Sequence, residues 1–520
     1  MLVTEKIAER GLKLLADAGH QVDVKEGVTE SELVALIPGA SALIIRSATQ
    51  VTGAVLDAGR DLVVVGRAGV GIDNVDVDSA TEHGVMVVNA PESNILSAAE
   101  QTLALLLAQA RNIPQAHAAL IAGRWERTRW EGVELHGKTL GIVGLGRVGA
   151  LVAQRALAFG MRLVAFDPYV SVDRARHMSV ELRSLEDLVA ESDFLTVHLP
   201  KTPETIGLIG RELLSMAKPG LRIVNAARGG IVDEAALAEA IAGGRVAGAG
   251  IDVFAKEPTT ESPLFQLDSV VVSPHLGAST AEAQDKAGVT IAEQVLLALA
   301  GDFVPFAVNV AATEVSETAR PFLPLAEQLG RFFACLHDGL PDRLEVEYLG
   351  TLATTSTAIL TLSALKGLFA TSTEEPVSYV NAPQLAERRG LQVRESLSVT
   401  SHDYVNLITL RSGDHAVSGT LSGAGVRVEP RVVMVDDHDV EVPPARDMLV
   451  VRNDDRPGMI GFVGTVLGES GVSISSMAVG RSRQGSTALM VLATDVPASD
   501  EVVAKLREDP GIFDLHRVTL

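Results

Sequence analysis

The sequence predicts an α/β protein in which about the first 300 residues form two parallel sheets, followed by two smaller α+β units. Short runs of valine, isoleucine and leucine alternate with alanine- and leucine-rich helical stretches. Strands that are buried on both faces read as continuous apolar runs, and helical crossovers between them are typical of parallel sheets. The predicted strands include 42–45, 62–65, 85–88, 140–143, 162–166, 194–197 and 221–224.

The two sheets are expected to belong to two domains, of which the first is discontinuous. A helical pattern over 97–110 carries the chain onward from the first group of strands, and one over 281–299 can bring it back after the second. The predicted arrangement is a flavodoxin-like substrate domain with a Rossmann-type, doubly wound nucleotide domain inserted in it. Their expected bounds are 1–90 with 280–305 for the first, and 91–279 for the second.

Two further domains are expected after the parallel sheets. Residues 310–440 are richer in threonine and serine and mix strand with helix signals, so we expect an α+β intervening domain over 306–442. The pair Pro443 and Pro444 is typical of a linker, because proline cannot continue a helix or a central strand. The rest of the chain, 447–520, predicts a ferredoxin-like βαββαβ unit whose middle strands form a hairpin across 481–485.

Composition and charge limit the classes of function. The 520 residues contain 44 Lys and Arg against 66 Asp and Glu, a net charge of −22. Broad nucleic-acid binding needs a dense basic face, so no nucleic-acid partner is expected. The single cysteine, Cys335, excludes an intrachain disulfide and a cysteine-based zinc cluster, and no metal is expected. Without a signal-peptide core or a run of about 18 apolar residues, we expect a cytoplasmic protein and no membrane partner.

The most informative motif is a glycine-rich turn formed by Gly144, Gly146 and Gly149, which follows an apolar strand and opens a helix. Alone, such a match is usually an ordinary turn. In the strand-to-helix setting, the first glycine makes the tight turn, the second lets the backbone approach a pyrophosphate, and the third permits close helix–strand packing. The helix N-terminus adds free N–H groups and a partial positive charge. The motif therefore predicts a dinucleotide site.

Asp167 ends the next predicted strand, 18 residues beyond Gly149, and selects the cofactor. Its carboxylate can accept hydrogen bonds from both ribose hydroxyls. It would repel a 2′-phosphate about 4 Å away by roughly 4 kcal/mol at an effective dielectric constant of about 20. The sequence therefore predicts NAD rather than NADP. A similar glycine-rich stretch over 66–71 has a different glycine order and precedes a poor helix start, so we interpret it as a substrate-side loop.

Three later segments supply polar side chains at strand ends, where ligands of parallel sheets bind. Removing a hydride from a secondary alcohol requires a base for the hydroxyl proton, a group that orients the base, and a cation for the adjacent carboxylate. We predict His275 as the base, Glu257 as its orienting carboxylate and Arg228 as the carboxylate clamp. Taken singly, each of these residues has an ordinary structural explanation.

Residues 66–302 resemble the D-2-hydroxyacid dehydrogenases, whose motifs are matched in order at 144–149, 225–234 and 274–280. The resemblance implies that His275, Glu257 and Arg228 carry the catalytic roles. It also implies an NAD site. The residues implied for that site, besides the three glycines, are Arg147, Val148, Asp167, Ala226, Ala227, Arg228, Asp252, His275, Gly277 and Ala278.

Several arginines of the predicted substrate domain and its neighbourhood could together neutralise a substrate that carries a phosphate as well as a carboxylate. Separately, each would be a surface charge. Their surroundings resemble the branch of the family that oxidises 3-phosphoglycerate at the start of phosphorylated serine synthesis, in which a tryptophan–arginine loop reaches across a dimer. The resemblance implies 3-phosphoglycerate as substrate and contacts from Arg46, Ser47, Arg67, Gly69, Asn94 and Arg127.

The C-terminal unit resembles an ACT domain. This implies L-serine as an effector, coupled to the active site by about 1–3 kcal/mol, and a homo-oligomer, either a dimer or a homotetramer. The implied effector residues are Asn453, Asp455, Gly458 and Ser473. Ser473 stands where members commonly carry asparagine, so serine affinity is left open. Members usually begin several residues before the first strand, so we expect a start upstream of Met1.

Two alternatives stay open. The first is another D-2-hydroxyacid dehydrogenase, acting on glycerate (hydroxypyruvate), lactate or formate; such chains generally end after the first two domains, so the ACT-like unit counts against it. The second is an NAD-sensing interaction protein like the C-terminal-binding corepressors, which share the fold. The arginines and the regulatory unit favour the enzyme, whereas an intact catalytic set does not discriminate.

Overall fold

The computed structural model describes residues 1–310, 315–337, 340–373, 377–423, 428–481 and 487–520. The strands of these residues form two parallel sheets, one mixed sheet and one antiparallel sheet. None of the described helices combines the length and apolar character needed to cross a membrane. The α/β fold class predicted from the sequence is confirmed.

The first sheet is parallel throughout. Its strands are Leu2–Val3 (β1), Asp23–Val24 (β2), Ala42–Ile45 (β3), Val64–Arg67 (β4) and Met86–Asn89 (β5), and its helices are Glu9–Asp17 (α1), Glu30–Leu36 (α2), Gly53–Ala58 (α3) and Val77–Glu82 (α4). The strand order β2-β1-β3-β4-β5 is flavodoxin-like. All of β3 is buried, whereas both residues of β2 are exposed. We call this part of the molecule the first lobe.

The second lobe contains a seven-stranded parallel sheet. Its elements are Ile95–Arg111 (α5), Ile113–Ile121 (α6), Thr139–Val143 (β6), Arg147–Ala158 (α7), Arg162–Phe166 (β7), Val172–His177 (α8), Glu181–Leu182 (β8), Leu185–Glu191 (α9), Phe194–Val197 (β9), Arg211–Ser215 (α10), Leu221–Asn225 (β10), Glu234–Ala242 (α11), Val246–Ile251 (β11), a short 3₁₀ helix Pro263–Gln266, and Val270–Val272 (β12). The order β12-β11-β10-β9-β6-β7-β8 reverses between β9 and β6. Ligands of doubly wound sheets bind in the crevice at such a reversal.

Helix α12, Ala281–Ala300, returns the chain to the first lobe, where it packs against α1 and β4. A Cβ on Gly11 would lie 2.5 Å from the carbonyl oxygen of Gly288, so only a glycine in α1 allows this approach. The chain beyond α12 continues the contact, because the amide of Asn309 donates to the carbonyl oxygen of Val85 at 2.9 Å. Residues 281–310 therefore pack with the first lobe.

The intervening part of the chain forms a six-stranded mixed sheet covered by helices. Its elements are a 3₁₀ turn Arg320–Phe322, Leu323–Leu336 (α13), Arg343–Gly350 (β13), a 3₁₀ turn Thr351–Thr354, Ala358–Ala370 (α14), Ala382–Arg388 (α15), Gln392–Ser398 (β14), Asn406–Ser412 (β15), His415–Ser422 (β16), Glu429–Val435 (β17) and His438–Val442 (β18). The sheet order is β14-β13-β15-β16-β17-β18, with only β13 and β14 parallel among the described strands.

The last unit has the order βαββαβ that the sequence predicts. Its elements are Asp447–Asp454 (β19), Met459–Glu469 (α16), Ile474–Arg481 (β20), Thr487–Thr494 (β21), Asp500–Arg507 (α17) and Ile512–Thr519 (β22). The four strands form an antiparallel sheet in the order β20-β21-β19-β22. The hairpin turn predicted across 481–485 lies, beyond Arg481, outside the described residues. We call this the ACT-like unit.

The hydrophobic core is divided unequally among these parts. One cluster runs from Val64 in the first sheet through Ile291 of α12 and Phe332 of α13 to Val450 of the ACT-like sheet. The second lobe has two clusters of its own. The first lobe, the intervening sheet and the ACT-like unit therefore share a core that the second lobe does not.

Candidate active site

The glycine-rich turn after β6 has the geometry that a pyrophosphate requires. Gly144 has a φ of +94°, and a Cβ there would lie 2.7 Å from the carbonyl oxygen of His198. A Cβ on Gly149 would lie 2.2 Å from the carbonyl oxygen of Gly144, so glycine lets α7 pack closely on the turn. At Gly146, none of the described atoms lies within 4 Å of the Cβ position, and the backbone is open to a ligand. The turn therefore fits the dinucleotide.

Asp167 follows β7 and lies against this turn. Its Oδ2 accepts a hydrogen bond from the N–H of Leu145 at 2.8 Å, and its Oδ1 accepts one from the N–H of Tyr169 at 2.9 Å. The carboxylate that the sequence assigns to the ribose thus also holds the glycine-rich turn. Arg147, at the start of α7, pairs with Glu92 at 3.0 Å across the junction of the lobes.

His275 and Glu257 are in direct contact, with Nδ1 of the imidazole 2.5 Å from Oε2 of the carboxylate. Because Nδ1 faces Glu257, Nε2 is the ring nitrogen left to receive a proton. Glu257 also accepts from the N–H of Phe254 at 2.8 Å. Burial acts to raise the pKa of Glu257, but these hydrogen bonds and the charge of Arg228 hold that pKa below its usual value. The carboxylate is therefore ionised when the imidazole takes up a proton.

Asp252 fixes the loop that carries His275. Its carboxylate is fully buried and accepts from the N–H of Leu276 and the N–H of Gly277, both at 2.8 Å, and from the hydroxyl of Ser273 at 2.6 Å. The N–H of His275 donates to the carbonyl oxygen of Asp252 at 2.8 Å, and the backbone of His275 is left-handed, with a φ of +52°. Asp252, predicted to line the NAD site, thus also positions the catalytic candidate.

Arg67, Arg228 and Arg46 form a cluster of positive charge between the lobes. Burial, followed by the charge of Arg228, lowers the pKa of Arg67 to about 10; Arg46 acts in the same direction, and Asp73 and Glu5 oppose it. The Nε of Arg67 is buried and has no hydrogen-bond partner among the described residues. A buried N–H without an acceptor costs free energy, and an anion bound here would relieve that cost.

The glycine stretch over 66–71 carries Arg67 and packs against Arg228. A Cβ on Gly69 would overlap the guanidinium of Arg67, at 1.8 Å, and a Cβ on Gly71 would lie 2.6 Å from that of Arg228. Nε of Arg228 is 3.5 Å from Oδ2 of Asp73. Residues 68–71 therefore form a loop beside the arginine cluster, and its interpretation as a substrate-side loop stays a prediction. Asp73 is a further charged neighbour that sequence reasoning missed.

Arg127 is also predicted to bind the substrate, but within a single chain it lies apart from this arginine cluster. It is exposed, and the neighbouring Arg129 donates to Asp268 at 2.7 Å. Asp268 precedes the amino end of β12, whereas His275 follows the carboxyl end. Within this chain, the segment of Arg127 therefore lies near the amino end of β12, whereas His275 lies beyond its carboxyl end.

The other predicted contacts lie at the ends of strands and starts of helices around the cleft. Ala226 and Ala227 follow β10, and the latter donates its N–H to the side chain of Asn225 at 3.1 Å. The remainder are Ser47 after β3, Asn94 immediately before α5, Val148 in the first turn of α7, and Gly277 and Ala278 after β12.

His198, which the sequence analysis did not single out, is a second imidazole near the glycine-rich turn. Its Nε2 is 3.0 Å from the hydroxyl of Thr196, and burial lowers its pKa to about 4. It is therefore neutral near pH 7 and contributes no positive charge beside the turn.

Three of the four effector candidates lie at the turn between β19 and α16, whereas Ser473 precedes β20 at the end of the sheet where β19 begins. Asp455 pairs with Arg481 at 2.9 Å, and the exposed Ser473 donates its N–H to Asp495 at 2.8 Å. Asn453 is buried, and its Oδ1 has no hydrogen-bond partner within the part of the chain that the structure describes. Gly458 has a φ of +103° at the start of α16.

The fold and this site define a D-2-hydroxyacid dehydrogenase, an NAD-dependent oxidoreductase. Residues 103–277 match the family model described as D-isomer specific 2-hydroxyacid dehydrogenase, NAD binding domain. The TT0316 protein from Thermus thermophilus superposes with a TM-score of 0.56 at 36% identity, over 59% of this chain and 99% of that one. An NAD-dependent formate dehydrogenase from Staphylococcus aureus, solved with NAD, gives 0.52 at 30% identity, over 57% and 94%. The predicted cofactor and enzyme class are confirmed.

Full-length relatives show which family within this class the chain belongs to. The D-3-phosphoglycerate dehydrogenase of Mycobacterium tuberculosis is 49% identical over 100% of this chain and 99% of its own. That of Methanocaldococcus jannaschii is 41% identical, again over 100% and 99%. Residues 318–436 match the D-3-phosphoglycerate dehydrogenase intervening domain, and residues 448–511 match the ACT domain. The chain belongs to the D-3-phosphoglycerate dehydrogenase family.

Proposed function

We propose that the protein oxidises 3-phospho-D-glycerate to 3-phosphohydroxypyruvate with NAD, the first step of phosphorylated L-serine synthesis. The observation that supports this substrate is the arginine cluster, in which the half-buried Arg67 lies beside Arg228 and its buried Nε has no hydrogen-bond partner among the described residues. A carboxylate and a phosphate on one small molecule supply the negative charges that this cluster lacks. Glycerate or lactate would supply only one of them.

Each side chain of the site has its own role in the reaction. NAD, when bound, accepts the hydride of the substrate's secondary alcohol. Nε2 of His275 takes the hydroxyl proton, and Glu257 stabilises the resulting imidazolium through its contact with Nδ1. Arg228 binds the substrate carboxylate and polarises the carbonyl group as it forms. Arg46 and Arg67 bind the phosphate, so the substrate is held from both lobes.

Comparing substrates tests this assignment. NADH formation is followed with 3-phosphoglycerate, D-glycerate and D-lactate at equal concentrations. The proposal expects the highest kcat/KM with 3-phosphoglycerate and loss of that preference in Arg67→Ala. A wild-type preference for glycerate or lactate would support the alternative D-2-hydroxyacid dehydrogenase, and NAD binding without turnover of any of the three would support an interaction protein.

We further propose a homo-oligomer, a dimer or a tetramer, in which Arg127 approaches the phosphate of a neighbouring subunit. Its support is a run of exposed apolar side chains on and after α6: Ile121 is 74% and Trp125 82% exposed. Exposed apolar surface of this kind marks interaction sites. Light scattering after size exclusion gives the subunit number, and mixing Arg127→Ala with His275→Ala subunits tests the shared site, because only mixed oligomers regain activity.

L-serine is proposed as an inhibitor that acts through the ACT-like unit. The support is the family match over 448–511, together with the buried, unpartnered Oδ1 of Asn453 next to the predicted effector turn. Titrating L-serine into the 3-phosphoglycerate assay tests the proposal. Inhibition that disappears in Asp455→Ala supports it, and turnover unaffected by millimolar serine contradicts it.

A further inference from the structure

The loop that follows β3 is held by two side chains from distant parts of the first lobe. The carboxylate of Glu5 accepts three backbone N–H groups of this loop, those of Arg46 at 2.8 Å, Thr49 at 2.9 Å and Ala48 at 3.1 Å. The amide of Asn74 donates to the carbonyl oxygens of Arg46 at 2.7 Å and Thr49 at 2.6 Å. The backbone over 46–49 is therefore fixed from two sides.

This clamp, formed by Glu5 and Asn74, leaves the loop with its side chains and a single backbone amide, that of Ser47, to offer to a ligand. Successive N–H groups in a turn form a concavity that binds anions. Here the carboxylate of Glu5 occupies that concavity, so a substrate phosphate cannot use the same donors. Ser47 is exposed and Arg46 is half-buried, and both project from a backbone whose N–H groups at 46, 48 and 49 already have an acceptor. Anion recognition at this loop therefore falls on these two side chains and on the N–H of Ser47.

We propose that Glu5 and Asn74 are positioning residues for phosphate recognition, because they fix the 46–49 backbone so that Arg46 and Ser47 meet the substrate's phosphate. The inference rests on the proposed function, in which Arg46 contacts that phosphate. Neither residue touches the substrate, and both act through the loop. Their removal is expected to weaken recognition of the phosphate while leaving the hydride and proton transfers intact, since His275, Glu257 and Arg228 lie outside the loop.

Glu5→Gln and Asn74→Ala test the clamp. The glutamine amide would place N–H donors against N–H groups, and the alanine would leave two carbonyl oxygens of the loop without their donor, so the loop becomes less ordered. We expect the KM for 3-phosphoglycerate and the inhibition constant of inorganic phosphate to rise together, each by about tenfold. The KM for NAD, the kcat, and the KM for D-glycerate, which lacks the phosphate, should stay within about twofold of wild type.

Two matched control variants remove comparable hydrogen bonds elsewhere in the first lobe. Glu32 accepts the N–H of Thr29 at 2.8 Å at the start of α2, and Asn309 donates to Val85 at 2.9 Å beside β5. Within the described part of the chain, neither side chain is hydrogen-bonded to the 46–49 loop. Glu32→Gln and Asn309→Ala should therefore leave the KM for 3-phosphoglycerate unchanged, even where they lower the melting temperature.

The outcomes separate this inference from the proposed function. Turnover of 3-phosphoglycerate by the wild type tests the proposed function. The ratio of the KM for 3-phosphoglycerate in each variant to that of the wild type tests the clamp. An unchanged KM in Glu5→Gln and Asn74→Ala overturns the inference, as does an equal rise in the KM for D-glycerate. Should both variants fail to fold, Thr4→Val removes only the buried 2.9 Å hydroxyl contact with Thr49. It should raise the phosphate inhibition constant about threefold, and no rise would equally overturn the inference.

Discussion

The loop after β6 in the second lobe and the loop after β3 in the first occupy similar places, each beyond the carboxyl end of a parallel strand. The loop after β6 leaves its backbone open at Gly146, with none of the described atoms within 4 Å of the Cβ position. In the other loop, the backbone donors of Arg46, Ala48 and Thr49 are already bound by Glu5. An open backbone suits the pyrophosphate common to dinucleotides. Side chains on a fixed backbone suit one substrate, because their charges select its groups.

The lobes also differ in how they are attached to the rest of the chain. The first lobe shares a continuous core with the intervening sheet and the ACT-like unit, through α12 and α13. The second lobe packs around its own two clusters. A signal from the proposed serine site would therefore reach the first lobe, through this shared core, before it reached the second lobe.

The largest expected effect separates turnover from binding. His275→Ala removes the proposed base and should lower kcat by about 10² to 10⁴, with little change in NADH affinity. His177→Ala, at the end of α8 in the same lobe, is the control and should keep full activity. Near-normal turnover in His275→Ala, measured by NADH absorbance, would refute the mechanism.

The next effect tests the open backbone of the second lobe. In Gly146→Ala the added methyl group meets only the space assigned to the cofactor, so we expect about a tenfold loss of NAD affinity or more with an unchanged melting temperature. In Gly149→Ala the methyl group would lie 2.2 Å from the carbonyl oxygen of Gly144, which should cost about 1–3 kcal/mol of stability.

Calorimetric titration with NADH and thermal unfolding measure the two effects separately. If Gly146→Ala binds NADH as tightly as wild type, the pyrophosphate does not lie against this turn. If Gly149→Ala unfolds at the wild-type temperature, the close packing of α7 is not required.

The two lobes were unequally predictable from the sequence. Strands buried on both faces, such as β3 and β9, gave apolar runs that matched the observed strands closely. The two-residue strands β2 and β8 gave none, because β2 is wholly exposed and β8 contains no fully buried residue. Tertiary pairing alone makes these segments into strands.

The same contrast holds for the candidate site. The glycine-rich turn is a local pattern, visible because its residues lie within one strand-to-helix junction. His275 and Glu257 were predicted from the chemistry of hydride removal and chosen over their ordinary structural explanations by the resemblance, and the structure brings their side chains into contact. Glu5 and Asn74 gave no signal, since Glu5 reaches Thr49 across 44 positions of the chain and no spacing rule connects them.

The third prediction concerns pH and the side-chain cations of the first lobe. The pKa of Arg67 is lowered to about 10, by burial and then by the charge of Arg228. A bound anion favours the charged guanidinium, so affinity for 3-phosphoglycerate is complete well below pH 10 and is lost as the pH rises through that value. We expect its KM to rise severalfold between about pH 9 and pH 11, while the KM for NAD changes less.

Arg67→Lys sharpens this prediction. The ordinary pKa of lysine is about 10.4, below that of arginine, and the same burial lowers it further. The rise in KM should therefore begin at a lower pH in the variant. A KM for 3-phosphoglycerate that is flat over this range in both proteins would show that Arg67 does not bind the substrate.

The last prediction concerns the choice of cofactor. Asp167→Ala removes the charge that opposes a 2′-phosphate, but it also removes the acceptor for the N–H of Leu145, so NAD affinity should fall as NADP begins to compete. Asp167→Asn separates these roles, because its amide oxygen can still accept from Leu145 while the charge is gone. We expect the ratio of kcat/KM for NAD over NADP to fall by about tenfold in Asp167→Asn, with NAD affinity better preserved than in Asp167→Ala. A ratio unchanged from wild type would mean that the carboxylate serves only to hold the glycine-rich turn, and that the open backbone accepts either dinucleotide.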